Sequence, residues 1–291
     1  MNFKSSLEIL EYCRENNARI SDAVLIYEET ENNRAPEATI RTMTDYWTFM
    51  KRSIDMAFQP GEPVHGSIIG GEARKIKEYR EKNGPICGDT ISRAIQYALA
   101  VLEVNASMGK IVAAPTAGSS GVLPAVFRTI QEDRGVSDEE ITRALLNASG
   151  IGIIIAKNAS LSGAQGGCQA EVGSAAAMAA AGVVEICGGT PEQCFHAAAI
   201  ALKNCMGLVC DPVAGLVEVP CAKRNTMGAA NALIAAEMAM AGVISYIPFD
   251  EVVYAMNQVG RMMSVALKET AEGGIAVSPT GICYRKKIFG Q

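Results

Sequence analysis

Alternation of apolar and polar residues, the mark of a half-buried strand, is scarce in this chain, and its Val/Ile runs, such as Lys110–Ala114 and Ile151–Ile155, are short. That argues against a fold built on a sheet. Aromatic residues make up only 5% of the sequence, and Ala, Met and Gly stand in their place. Basic clusters are missing as well: none exceeds Tyr284-Arg285-Lys286-Lys287, and the formal net charge is -5. Nucleic acid and anionic membrane are thereby excluded as main partners. No apolar run long enough to span a bilayer is free of polar residues, and the start, Met1 to Glu8, lacks the apolar segment of a secretory signal. The expected location is the cytoplasm, where thiols stay reduced. No internal repeat or low-complexity linker divides the chain.

What is present is helical period. Residues 36–57 open with Ala-Pro-Glu and place Ile40, Met43, Trp47, Met50 and Ile54 near a 3.6 spacing. Residues 89–106 begin with an Asp-Thr cap, and 138–156 begin with an acidic first turn. The run from Gln169 to Ile186 is too rich in small residues for a surface helix. A capped start at Thr190 leads to Met206, and 224–243 and 249–268 read as two further apolar helices. The fold class expected is all-α: one helical domain over 1–291, with Gly-rich loops between closely packed helices. The first sixty or so residues are the most charged and read as a helical arm or cap, not a separate domain.

Nine cysteines in a reduced compartment are small hydrophobes, metal ligands or redox groups rather than disulfides. Cys13, Cys87, Cys187, Cys194 and Cys205 sit in helix-like or plain loop contexts and read as filler. Cys168, Cys210 and Cys221 differ: each lies in a Gly- or Pro-punctuated segment that reads as a helix start, Cys210 ahead of an Asp211 cap and a first-position Pro212. Free N–H groups and the positive dipole end favour a thiolate there. Three converging thiolates would suit a metal centre with one coordination position left open, the arrangement of a catalytic rather than a structural site. Their spacing, 42 residues and then 11, matches no compact ferredoxin or zinc-ribbon pattern, so spacing alone leaves the filler reading open.

Other segments carry polar chemistry. Pro115-Thr116-Ala117-Gly118-Ser119-Ser120-Gly121 supplies hydroxyls and backbone N–H groups ahead of a helix start at Val122, as an anion cradle or as an ordinary Gly-Ser turn. Lys157-Asn158-Ala159-Ser160-Leu161-Ser162 leads toward Cys168 and either lines the same pocket or is a solvated loop, with Lys157 snorkelling at a helix end. His196 reads as a packing residue inside a helix, whereas His65 lies in the Gly-rich loop Gly61–Glu72, where an acid–base or substrate contact is possible. Lys157, Ser120 and His65 are the candidates for the base; no partner that would tune one of them is visible.

Cys168-Gln-Ala-Glu-Val-Gly-Ser-Ala-Ala-Ala-Met-Ala-Ala-Ala-Gly and Cys210-Asp-Pro-Val-Ala-Gly-Leu-Val-Glu-Val-Pro-Cys221 closely resemble the iron–sulfur-dependent L-serine dehydratases. Pro115–Ala125 and Asn158–Ala164 are similar to that family's other motifs, and the resemblance spans about residues 40 to 283. It covers the catalytic half, so the chain looks like an alpha chain whose partner is a separate beta chain. The resemblance implies an oxygen-sensitive [4Fe–4S] cluster on Cys168, Cys210 and Cys221. The cluster would act as a Lewis acid on the β-hydroxyl of L-serine, giving pyruvate and ammonia without net redox. It implies Thr116, Gly118, Ser119, Ser120, Asn158 and Ser160 as substrate-binding residues. Single-chain relatives carry a cysteine beside their C-terminus that folds back on the fourth iron; the candidate here is Cys283, although eight residues follow it. L-cysteine or L-threonine would suit the same chemistry, since a hydroxyl-for-thiol choice depends on pocket shape. From other classes, a pyridoxal-phosphate lyase with Lys157 as Schiff base leaves the three cysteines idle. A non-catalytic iron–sulfur or zinc subunit would need a fourth ligand.

Overall fold

A computed structural model describes residues 2–290. Among them are thirteen α-helices: α1 Ser6–Asn16, α2 Ile20–Asn32, α3 Pro36–Met56, α4 Glu72–Lys82, α5 Gly88–Ala106, α6 Val122–Arg134, α7 Asp138–Asn158, the single turn α8 Gly163–Gly166, α9 Ser174–Ile186, α10 Pro191–Asn204, α11 Cys221–Met240, α12 Phe249–Met262 and α13 Pro279–Phe289. The described residues form no named strand, only two isolated bridges, His65 with Gly70 and Cys210 with Lys268. The all-α expectation holds. No helix among the described residues is long and apolar enough to cross a membrane.

Local chemistry sets the boundaries. Ser5, Ser137 and Thr190 cap α1, α7 and α10, each in a box closed by the side chain three residues on. Pro36 and Pro191 occupy first-turn positions, where the missing N–H costs nothing. The helix expected to run to 268 ends at Met262, and the chain continues through short 3₁₀ turns to α13.

Helix α9 is the axis of the molecule. Every residue from Ser174 to Glu185 is buried, and α7, α10, α11 and α6 surround it. Its small side chains permit this, because interaxial distance shrinks with the side chains at the contact. A Cβ on Gly182 would stand 2.6 Å from Phe127 Cζ and 3.0 Å from the Ala144 carbonyl oxygen, so that crossing admits no larger residue.

The first sixty residues carry α1, α2 and the whole of α3. Phe3, Ile9, Ile20 and Trp47 are 0–1% exposed and join the main core with residues of α7 and α10. The Trp47 indole N–H donates to Asp138 Oδ1 at 2.9 Å. Against the upward push of burial, Lys51, Gln131 and Trp47 hold the Asp138 carboxyl down to about 2. The Lys157 ammonium fastens the start of the chain, donating to Asn2 Oδ1 at 2.8 Å and the Phe3 carbonyl at 2.7 Å, 4.5 Å from the centroid of the Tyr27 ring.

Candidate metal centre and substrate loop

Cys168, Cys210 and Cys221 are all buried, 3%, 4% and 8% exposed, and come from three separate segments. Cys168 ends the loop after α8 and precedes a π-type turn, Gln169–Gly173, that leads into α9. Such i→i+5 turns recur at functional sites, because the extra residue re-aims a side chain. Cys221 is the first residue of α11, as its Pro-preceded position predicts. Cys210 is not at a helix start. It lies in extended chain, donating its N–H to Leu267 and accepting from Glu269 at 2.7 Å. The expected Asp211 cap does not form, because its carboxylate is taken by Arg224 Nη2 at 2.8 Å and the Ile275 N–H at 2.8 Å.

The thiols also depart from the expectation of lowered pKa. Burial pushes Cys168 and Cys221 up to about 12, and Cys210 higher still. Neighbouring groups add to this: Cys210 is raised further by Glu171, Cys168 and Cys221, and Cys221 by Cys168 and Glu171. Arg224 and the Val172 N–H pull Cys168 the other way without prevailing. Desolvation outweighs the helix dipole here. Were they ionised, the three buried thiolates would repel one another, and a cationic body among them would relieve that repulsion. Among the described residues, no group of three or more His, Cys, Asp and Glu is gathered to hold one metal ion. A polynuclear cluster spreads its thiolate ligands around a larger body, and this donor set fits one.

Beside Cys210 stands a carboxyl that the sequence reading missed. Glu171, 8% exposed, accepts from Thr116 Oγ1 at 2.7 Å and lies 3.8 Å from the Cys210 sulfur. Burial raises its pKa, with Thr116 opposing and Glu269 adding. Two glycines face it: a Cβ on Gly118 would meet Glu171 Oε1 at 3.0 Å, and one on Gly163 would meet Oε2 at 2.7 Å and the Cys210 sulfur at 3.0 Å. The space next to the carboxyl is kept clear of side chains. The available signal was that Glu171 is the only charge between Gln169 and Gly182.

The loop around Thr116 is braced from α11: Asn225 Nδ2 donates to the Gly118 carbonyl at 2.7 Å, and Asn225 Oδ1 accepts from the Gly121 N–H at 2.9 Å. Residues 4–276 match the family described as serine dehydratase alpha chain. The chain belongs to that family. It is 46% identical over 288 residues to the probable L-serine dehydratase alpha chain of Bacillus subtilis, covering 99% of this chain and 96% of that one. With the L-serine dehydratase alpha chain of Peptoniphilus asaccharolyticus it shares 47% identity, covering 98% and 97% respectively. L-serine dehydratase 1 of Escherichia coli is 35% identical across 94% of this chain but only 62% of its own length.

In this serine dehydratase alpha chain the expected site residues divide into groups. Thr116, Gly118 and Ser119 stand with Glu171 next to Cys210; Ser119 is fully buried, its Oγ 3.1 Å from Thr116 Oγ1. Ser120 is equally buried and donates to the Ala117 carbonyl at 2.8 Å, which makes it a brace of the turn. Lys157, committed to Asn2 and Phe3, is not brought to the 115–121 loop, which removes the geometry a Schiff-base lysine would need there. Asn158 donates to the Lys4 and Ile154 carbonyls, and with Ser160 it lines a different cavity. His65 is exposed in a loop whose N–H groups at Ser67, Ile68 and Ile69 converge on the buried Glu218 carboxylate at 3.0, 2.7 and 3.0 Å, three residues before Cys221. Cys283 is exposed on α13 rather than buried with the three thiols.

Proposed function

We propose that this chain is the catalytic subunit of an L-serine dehydratase, removing water from L-serine to give pyruvate and ammonia. The observation that carries the reading is the burial of three thiols, one of them 3.8 Å from the Glu171 carboxyl that Thr116 holds, in a chain 47% identical across nearly its full length to an alpha chain of that activity. Cys168, Cys210 and Cys221 would hold a [4Fe–4S] cluster. When bound, the cluster supplies Lewis acidity toward the β-hydroxyl.

The chain's own residues hold the rest of the amino acid. Backbone N–H groups of the loop and the Ser119 hydroxyl take the carboxylate. The Glu171 carboxyl, fixed by Thr116, takes the amino group. The glycine faces at 118 and 163 leave room for it, and burial excludes water from the reacting atoms. The α-proton leaves, the β-hydroxyl leaves with a proton as water, and the resulting enamine tautomerises and hydrolyses to pyruvate and ammonia. A beta chain is the expected partner, in keeping with the alpha-chain names of the relatives. The cytoplasm is the expected setting. L-cysteine and L-threonine remain tests of specificity, since no residue observed here separates them.

The experiment is anaerobic pyruvate formation from L-serine, with and without iron and sulfide reconstitution and with and without a beta chain. Turnover that requires reconstitution and is lost in air supports the reading. A protein that takes up no iron on reconstitution and releases no pyruvate in any arm overturns it.

A further inference from the structure

A second polar cavity lies on the other side of the Cys168 segment. It measures 360 Å³, and its walls are Lys157, Asn158, Ser160, Gln165, Asn257 and Arg261, over a floor of Gly166 and Gln169. It is separate from the cysteine site because consecutive side chains point apart. Cys168 faces Cys221 and Arg224, whereas the Gln169 amide turns to α12, donating to the Met256 carbonyl at 3.0 Å and accepting from the Gly207 N–H at 2.9 Å.

The lining has a distinct chemistry. It contains two cations and no carboxylate. Lys157 spends its hydrogen bonds on Asn2 and Phe3 but keeps its charge at the wall. Arg261 is exposed and makes no ion pair, hydrogen bond or ring contact among the described residues, and the Gln165 side chain is likewise uncommitted. The amides of Asn158 and Asn257 have donated, to the Lys4 and Asn158 carbonyls at 2.7 and 3.1 Å, which leaves their side-chain oxygens as acceptors. A planar guanidinium fork takes a carboxylate or phosphate through two parallel bonds. The adjacent amide oxygens accept from an amino or hydroxyl group.

We propose that this cavity is a second binding site, for a small organic acid held through its carboxylate by Arg261. The ligand touches Gly166 and Gln169, so it restrains the segment that carries Cys168. The site stands apart from the catalytic reading and does not depend on it.

The test uses the full chain without cluster, under argon, in a Thr116→Val background that removes the hydroxyl bracing Glu171 in the proposed substrate loop. Calorimetric titration with pyruvate should show one saturable site. Arg261→Gln should weaken it by at least about tenfold, the loss expected of a charge-assisted pair, and Arg261→Lys should lose less. Hydrogen exchange over residues 163–170 should slow when pyruvate is bound. Inorganic phosphate is the second probe: displacement of pyruvate only at much higher concentration supports an organic acid, and phosphate binding alone overturns it. Absence of saturable binding overturns the proposal, as does binding unchanged in Arg261→Gln. Arg261 is exposed and unpaired among the described residues, so that variant should fold normally, with an unchanged Tm.

Discussion

The stretch from Gln169 to Ile186 carries a buried glutamate near each end, and the two differ in their company. Glu185 accepts from Asn147 Nδ2 at 2.7 Å and the Ser21 N–H at 3.3 Å, with Cys194 beyond Asn147 at 3.7 Å. It ties α2 and α7 to the central helix inside packed core. Glu171 has one hydroxyl donor, a cysteine sulfur and two glycine faces. Burial raises both carboxyls. A buried, perturbed carboxyl therefore does not identify a reacting site by itself. Open space and reactive neighbours separate the two.

Substitutions at the two ends sharpen that contrast. The largest effect is expected from the cysteines. Cys168→Ala should abolish bound iron and pyruvate formation together, read by iron analysis and assay of the reconstituted protein. Cys194→Ala, equally buried, should keep both. Next comes the pair of carboxyls. Glu171→Gln should lower kcat/KM for L-serine about 10- to 100-fold, the range of one charged hydrogen bond, with little change in Tm. Glu185→Gln should leave kcat/KM within about twofold. Equal losses at both positions would dissolve the distinction.

Stability should show the reverse order. Glu185→Ala leaves the Asn147 amide and the Ser21 N–H without an acceptor and should cost about 1–3 kcal/mol in chemical denaturation. The pH dependence has a definite sign. The folded pKa of Glu185 lies above the unfolded value, so folding takes up a proton. Wild-type stability should fall as pH rises above 4.5, the ordinary value, and level off once the folded carboxyl has ionised. The slope is at most about 1.4 kcal/mol per pH unit. Glu185→Gln should lack that contribution, and identical slopes in the two proteins would contradict it. The smallest effect is expected at Cys283, exposed on α13: Cys283→Ser should leave the cluster spectrum and activation kinetics unchanged.

Much of the helical scaffold was legible in the sequence. Pro36 and the period through Ile54 marked α3, whose observed limits are Pro36–Met56, and the acidic first turn at Asp138 and the capped start at Thr190 marked α7 and α10. These signals are local, carried by residues within a turn of each other. The Asp211-Pro212 pair misled because the same carboxylate that caps a helix also pairs with an arginine thirteen residues away. The thiols were misjudged for a related reason. A dipole at a helix start is a sequence-local feature, while the burial that overrides it is supplied by the whole fold.

By itself, then, the sequence determined the all-α class, the small-residue axis and the motifs that mark the three cysteines. Period, caps and residue size act over a few positions and need no knowledge of distant chain. Only the tertiary structure decided that Glu171 stands beside Cys210, and that Lys157 and Asn158 serve the N-terminus and a second cavity. It also kept Cys283 at the surface. Those outcomes depend on which distant segments meet and how completely they exclude water, and neither is encoded in the spacing of residues along the chain.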